Sequence, residues 1–294
     1  MASSMRWRTL PLLSPFGWKD VAYTTTRHEK HKLDIAIPGK SQKAQAPRRK
    51  LPTCVFVHGG SWQRGDKAGA FNNGIDEAFV RAGYIGVSVN YRLSPEVKHP
   101  EHTLDVAAAV RWIHNNIDKY GGDPESLILI GHSAGAHLVM QLLADPQYLR
   151  RVGMETDVTN FVKGAVGVSG VYNIVRIANT AFYGSLVTAP AFGERVDQWR
   201  EASVTSALTK EGKTSPLLRT PLLLLTAEED FHFGEDAQEL DKWLTASGND
   251  SVERKVIPKR NHFTILRDLT ANDEDETMRE IKQFIQRVLL RGEE

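Results

Sequence analysis

Ser126-Leu127-Ile128-Leu129-Ile130-Gly131-His132-Ser133-Ala134-Gly135-Ala136-His137-Leu138-Val139-Met140 runs from an apolar stretch through Gly-x-Ser-x-Gly into a series of helix formers. The pattern reads as strand, sharp turn, helix. Small residues two before and two after Ser133 allow a backbone tight enough to hold that serine strained, its hydroxyl pointing off the sheet edge. That is the geometry of a nucleophile elbow. A glycine-rich βα turn in another α/β protein would carry the same pentapeptide, so the reading depends on what surrounds it.

Upstream, Leu104, Ala107, Ala108, Val110, Ile113 and Ile117 recur on one helical face until Gly121-Gly122-Asp123-Pro124 stops the helix. Asp105 falls near its positive amino end. Before it, Tyr84 to Arg92 reads as a strand broken by Leu93-Ser94-Pro95-Glu96, and Gly74 to Ala82 as a helix. Thr53-Cys54-Val55-Phe56-Val57 is continuously apolar, as a strand covered on both faces should be. It ends in His58-Gly59-Gly60-Ser61-Trp62. Two glycines after a buried strand let the backbone approach a ligand and aim its N–H groups, which acyl transfer needs where negative charge develops. His58 reads as a brace for that loop rather than as a base. Nearer the start, Tyr23 to Pro38 is β-prone, and the alternation over Lys32 to Pro38 predicts a half-buried strand near a sheet edge, followed by a hairpin loop. That loop, residues 39–50, holds Lys40, Lys43, Arg48, Arg49 and Lys50 without an acid. No aromatic residue interleaves them, so it reads as a solvated loop rather than an anion-binding arm.

Downstream, Val162 to Tyr172 supplies a sixth strand. Residues 173–216 are too long for an ordinary connection and carry Phe182, Tyr183, Phe192 and Trp199, which predicts an insertion over the sheet rim that acts as a cap. Trp62, Tyr172, Phe182 and Tyr183 are the candidate pocket residues. Pro221 to Thr226 forms a seventh strand ending in Ala227-Glu228-Glu229-Asp230, and an eighth near Val252 to Ile257 ends in Pro258-Lys259-Arg260-Asn261-His262-Phe263. A serine nucleophile needs a base to take its proton and an acid to fix the tautomer of that base. Ser133, Asp230 and His262 stand in that chain order at successive strand ends. Met278, Ile281, Phe284, Ile285, Val288 and Leu289 mark an amphipathic closing helix.

Alternating strands and helices predict a mostly parallel eight-stranded sheet with helices on both faces, its strand carboxyl ends on one rim. With 294 residues, 41% hydrophobic and 25% charged, the chain can bury one large core. We expect a single domain over 1–294, with the cap at about 173–216 and residues 1–20 loosely ordered. A net charge of +1, from 37 basic and 36 acidic residues, offers no field to steer nucleic acid or an anionic membrane. The lone Cys54 reads as a small buried hydrophobe. No apolar run reaches the ~18 residues of a membrane span or forms a signal core, so the expected compartment is the cytoplasm. Arg6, Arg8 and serines without acids before Asp20 are the minor sign of organelle targeting. No His-Glu-x-x-His pair suggests a metal site.

His58-Gly59-Gly60-Ser61-Trp62, Tyr91-Arg92-Leu93-Ser94-Pro95-Glu96, Tyr120-Gly121-Gly122-Asp123-Pro124 and Gly131-His132-Ser133-Ala134-Gly135 resemble the hormone-sensitive-lipase-like α/β-hydrolases. The likeness runs from about Tyr23 onward. His-Gly-Gly-x-Trp with Gly-His-Ser-Ala-Gly-Ala-His and the Leu33-Asp34-Ile35 strand look most like arylformamidases (kynurenine formamidases) and small carboxylesterases of the feruloyl and acetyl esterase type. The resemblance implies an α/β-hydrolase fold, a Ser-Asp-His triad without metal or organic cofactor, and a small-molecule ester or formamide substrate, in a monomer or homodimer. Lipase-like members usually carry a third glycine where this chain has Ser61. By position the oxyanion N–H groups fall to Gly60, Ser61 and Ala134. Among Glu228, Glu229, Asp230 and Asp236, the acid three residues past Ala227 is the one the family uses, with Glu229 second and Asp236 on a helix turning away. An acyltransferase or a lactone-processing enzyme would keep every one of these motifs, and a catalytically silent hydrolase-fold receptor would keep the fold.

Overall fold

The computed structural model describes residues 16–39, 50–180 and 184–291. The basic loop residues from Lys40 to Arg49, and Phe182 and Tyr183, lie outside the described residues. Strands β1 (Phe16–Ala22), β2 (Lys32–Ile37), β3 (Leu51–Val57), β4 (Ile85–Val89), β5 (Gly122–His132), β6 (Val162–Val168), β7 (Leu222–Glu229) and β8 (Val252–Asn261) form one sheet in the order β1-β2-β4-β3-β5-β6-β7-β8. From β4 to β8 every pairing is parallel, whereas β1–β2 and β2–β4 are antiparallel. The expected eight-stranded, mostly parallel α/β-hydrolase sheet is the observed one. Helices α1 (Ile75–Arg81), α2 (Glu101–Asn116), α3 (Ala134–Ala144), α4 (Gln147–Arg151), α5 (Ile174–Ala178), α6 (Ala189–Phe192), α7 (Val196–Ala202), α8 (Val204–Glu211), α9 (Phe233–Ala246), α10 (Thr264–Ala271) and α11 (Glu276–Arg291) connect and cover the strands.

The continuous apolar runs are explained by two cores, one on each face of the sheet. Val55, Val57, Leu129 and Leu224 face one way, against Val106 and Val110 of α2, Leu138 and Leu142 of α3, and Leu240 of α9. Cys54, Phe56, Ile130 and Leu225 face the other way, against Phe79 of α1, Leu266 of α10, and Ile281, Phe284 and Ile285 of α11. Because successive strand residues point to opposite faces, a strand between two helical layers has no polar position to fill. Cys54 is accordingly buried, and α11 buries the stripe its periodicity marked.

The amino-terminal hairpin departs from expectation in two ways. Phe16 to Asp20, assigned to a loosely ordered leader, belong to β1, and Tyr23 falls after that strand rather than in one. β2 is buried on both faces rather than on one. Asp34, the polar member of its alternation, is itself only 2% exposed and is neutralised from both sides by Lys67 Nζ at 3.0 Å and Lys19 Nζ at 3.4 Å. A buried carboxylate is tolerable only with such partners. Asp105 lies in the first part of α2, but its work is local pairing, to Arg92 at 2.7 Å and His31 at 3.1 Å.

Candidate active site

Parallel register brings the strand ends level. Val57 of β3 pairs with Gly131 of β5, His132 with Val168 of β6, and Val168 with Leu225 of β7, so the chain leaves the sheet at one rim over these four strands. At the end of β5, Ser133 has φ 53° and ψ −117°, a conformation that a non-glycine residue adopts at a cost of order 1–3 kcal/mol. The flanking glycines make that turn possible by close approach. A Cβ on Gly131 would lie 2.4 Å from the Gly135 carbonyl oxygen, and one on Gly135 would lie 2.1 Å from the Val57 oxygen. Packing of the start of α3 against the ends of β5 and β3 therefore excludes any side chain at both positions.

The loop after β3 is bound into this arrangement. His58 is buried, stacks on Tyr91 at 4.5 Å, and donates from Nδ1 to the Gly59 carbonyl at 2.7 Å. Burial pushes its imidazole down to about 4, against the opposing pull of that carbonyl, so it stays neutral. Gly59 abuts the elbow, where a Cβ would meet His132 Nδ1 at 2.8 Å and Ser133 Cβ at 3.0 Å. Gly60, Ser61 and Trp62 follow at φ 123°, 56° and 59°. Ala134 is the first residue of α3, where a helix N–H has no partner within the helix.

Past β7, Asp230 and His262 are brought together, with His262 Nδ1 2.8 Å from Asp230 Oδ1. A carboxylate only accepts, so Nδ1 carries the proton and neutral His262 keeps its lone pair at Nε2. Burial raises the Asp230 carboxyl, but the hydrogen bonds from His262 and from the Ala227 N–H outweigh it and hold it below its ordinary value. The neighbouring acids are engaged elsewhere. Glu228 accepts from the Lys259 N–H at 2.7 Å, Glu229 is exposed, and Asp236 accepts from the Tyr172 N–H at 2.6 Å and pairs with Arg176. The loop carrying His262 is set by Asn261, whose Oδ1 accepts from the Phe263 and Thr264 N–H groups at 3.0 Å.

His132 joins the two halves. Its Nε2–H donates to the His262 carbonyl at 2.9 Å and its ring lies 4.8 Å from the His262 ring. Burial first, then the neighbouring His262, pushes His132 down to about 3, which keeps a second positive charge away from that imidazole.

Of the candidate pocket residues, Trp62 and Tyr172 have buried side chains. The aromatic surface open to solvent is different. Phe71, Phe231 and Phe263 are each over two-fifths exposed, and Phe231 and Phe263 lie 5.2 and 5.3 Å from the His262 ring. Phe71 packs beside Phe263, tilted, at 4.9 Å. Phe231 and Phe263 directly follow Asp230 and His262 in sequence, a signal within reach of the sequence reading. Phe71 and the His132 contact had no such signal. Among the described residues no group of three or more His, Cys, Asp or Glu could hold a metal ion, and no helix is long and apolar enough to cross a membrane.

The BD-FAE family model matches residues 33–216, a stretch that includes Ser133 and the loop after β3 and stops short of Asp230 and His262. Esterase LipC of Mycobacterium tuberculosis is 33% identical over 135 residues, 45% of this chain and 33% of that protein, so the chain spans only about a third of LipC's length. Kynurenine formamidase of Meyerozyma guilliermondii is 29% identical over 211 residues, 71% of this chain and 74% of that protein. Among solved structures, esterase B from Lactobacillus rhamnosis superposes with a TM-score of 0.79 over 95% of this chain and 87% of that one, at 19% identity, which speaks to the fold. With more than half its length matched by the family model on an α/β-hydrolase sheet, the chain belongs to the BD-FAE family, as the resemblance to carboxylesterases and arylformamidases implied.

Proposed function

We propose that this chain is a serine hydrolase that cleaves a carboxylic ester or aryl formamide of a small molecule through an acyl-enzyme. The observation that carries this reading is the 2.8 Å contact from His262 Nδ1 to Asp230 at the rim where Ser133 is held strained. His262 Nε2 takes the Ser133 proton as the hydroxyl attacks the carbonyl, and returns it to the departing alcohol or amine. Water then repeats the sequence on the acyl-enzyme. The N–H groups of Gly60, Ser61 and Ala134 receive the oxyanion, where loss of one donor typically costs about 3 kcal/mol of barrier. Phe71, Phe231 and Phe263 flank the base and offer an apolar surface to the group that leaves.

The chain between β6 and β7 acts as a cap in this reading. Its support is attachment to the loop after β3, where Gln63 Nε2 donates to the Leu186 carbonyl at 3.0 Å and Phe192 packs on Trp62. The test is Ser133→Ala assayed with p-nitrophenyl acetate, beside labelling of the wild-type chain by a fluorophosphonate. The expected result is loss of turnover by at least a thousandfold with an unchanged unfolding midpoint, and label on Ser133 alone. Turnover within tenfold of wild type overturns the assignment.

A further inference from the structure

Ser61 and Trp62 are consecutive non-glycine residues in left-handed backbone, directly in the loop assigned to the oxyanion. Such a pair persists only where its surroundings over-determine it. The surroundings here act on the Trp62 side chain. The indole is 2% exposed, meets Phe192 edge-on at 4.7 Å and His137 at 5.2 Å, and donates its Nε1–H to His137 Nδ1 at 3.2 Å. The Trp62 carbonyl accepts from the Ser94 N–H at 2.8 Å.

His137 makes a second bond, from Nε2 to the Ala202 carbonyl at 2.7 Å. A carbonyl only accepts, so Nε2 holds the proton and Nδ1 presents the lone pair that the indole N–H requires. Burial, against the pull of that carbonyl, pushes the ring down to about 4 and keeps this neutral form in place. His137 lies one turn beyond Ser133 on α3, and its backbone N–H donates to the Ser133 carbonyl at 3.2 Å. One imidazole thus joins the helix that carries Ser133, the loop after β3, and the end of α7.

We propose that His137 is a positioning residue that fixes Trp62, and through it the left-handed Ser61–Trp62 turn, so that the Gly60 and Ser61 N–H groups stay aimed above Ser133. The inference rests on the serine-hydrolase reading of Ser133 and this loop. Donors held in place act on the transition state more than on the bound substrate, so loosening them lowers kcat and leaves KM nearly unchanged.

The experiment compares Trp62→Phe, which keeps the ring and loses the N–H, with His137→Leu and the double variant, using p-nitrophenyl acetate and unfolding midpoints. Each single change is expected to lower kcat ten- to a hundredfold with KM within about twofold, and the double variant to be no worse than the poorer single one. His137→Gln, whose amide offers one acceptor and one donor, is expected to recover most of the loss and serves if His137→Leu does not fold. Trp62→Phe with kcat within twofold of wild type, losses confined to KM, or losses that multiply in the double variant overturn the proposal. A wild-type chain that neither turns over the ester nor takes a fluorophosphonate on Ser133 overturns the hydrolase reading, and this inference falls with it. An active, labelled wild type beside an unaffected Trp62→Phe defeats the inference alone.

Discussion

His132 donates its Nε2–H to the backbone carbonyl of His262 at 2.9 Å, so the residue before Ser133 holds the loop that presents His262. His132→Ala removes that tie and leaves the His262 carbonyl without its ring donor. We expect kcat to fall at least tenfold with little change in KM, read from steady-state turnover of p-nitrophenyl acetate. Unchanged kcat means that Asn261 alone sets the loop.

Asp230→Asn should preserve the fold and lower kcat by about 10⁴, as the equivalent change does in a serine protease triad, because an amide N–H facing Nδ1 selects the wrong tautomer. Glu229→Gln should stay within about threefold of wild type, since Glu229 is exposed and Asp230 holds the His262 contact. The reverse pattern of kcat values would identify Glu229 as the acid.

Gly135→Ala places a Cβ 2.1 Å from the Val57 carbonyl oxygen, an atom of the central sheet that cannot yield cheaply. We expect a loss of stability of about 2 kcal/mol or more, measured by urea unfolding, together with loss of activity as α3 is pushed from β3. A midpoint equal to that of wild type shows that the sheet accommodates the methyl.

Acid should unfold this protein well above the carboxylate range. His58, His102 and His137 are pushed down to about 4, and His99 and His132 to about 3, by burial. Unfolded histidine titrates near 6.5, so below that pH the unfolded chain binds protons the folded chain refuses, and stability falls as pH falls. Each such histidine costs up to about 1.4 kcal/mol per pH unit between 6.5 and its folded value. Asp236, raised to about 6 by burial, opposes this as a single group. The thermal midpoint should therefore drop steeply between pH 6.5 and 5, and a flat midpoint across that interval contradicts the neutral burial of these rings.

Phe231→Ala and Phe263→Ala should each raise KM for p-nitrophenyl esters several-fold, the effect of losing an aromatic contact of about 1 kcal/mol, while KM for an ethyl ester of the same acyl group moves less than twofold. Equal shifts for both esters place the leaving group elsewhere.

The sheet, its parallel order and the contact of Asp230 with His262 were legible because each rests on local pattern. A strand buried on both faces must be apolar throughout, and the residues after its carboxyl end must reach the rim. What escaped was set by partners distant in sequence. β2 looked half-buried because nothing near Asp34 announces that Lys67 and Lys19 will neutralise it. The bond that seats the Trp62 indole could not be read because its partner, His137, lies 75 residues away. Phe71 joins Phe263 only through the folded rim.

The order of strands across the sheet also governs when function first becomes available during folding. His262 follows β8, the final strand and an outer edge of the sheet, whereas Ser133 follows β5 near its middle. Pairings between distant segments form slowly, since loop-closure entropy is lost before contacts reward it. A refolding chain can therefore regain helical signal while His262 is still undocked. Ester turnover should return later than far-ultraviolet ellipticity, and the lag should shorten in variants that strengthen pairing of β8 with β7.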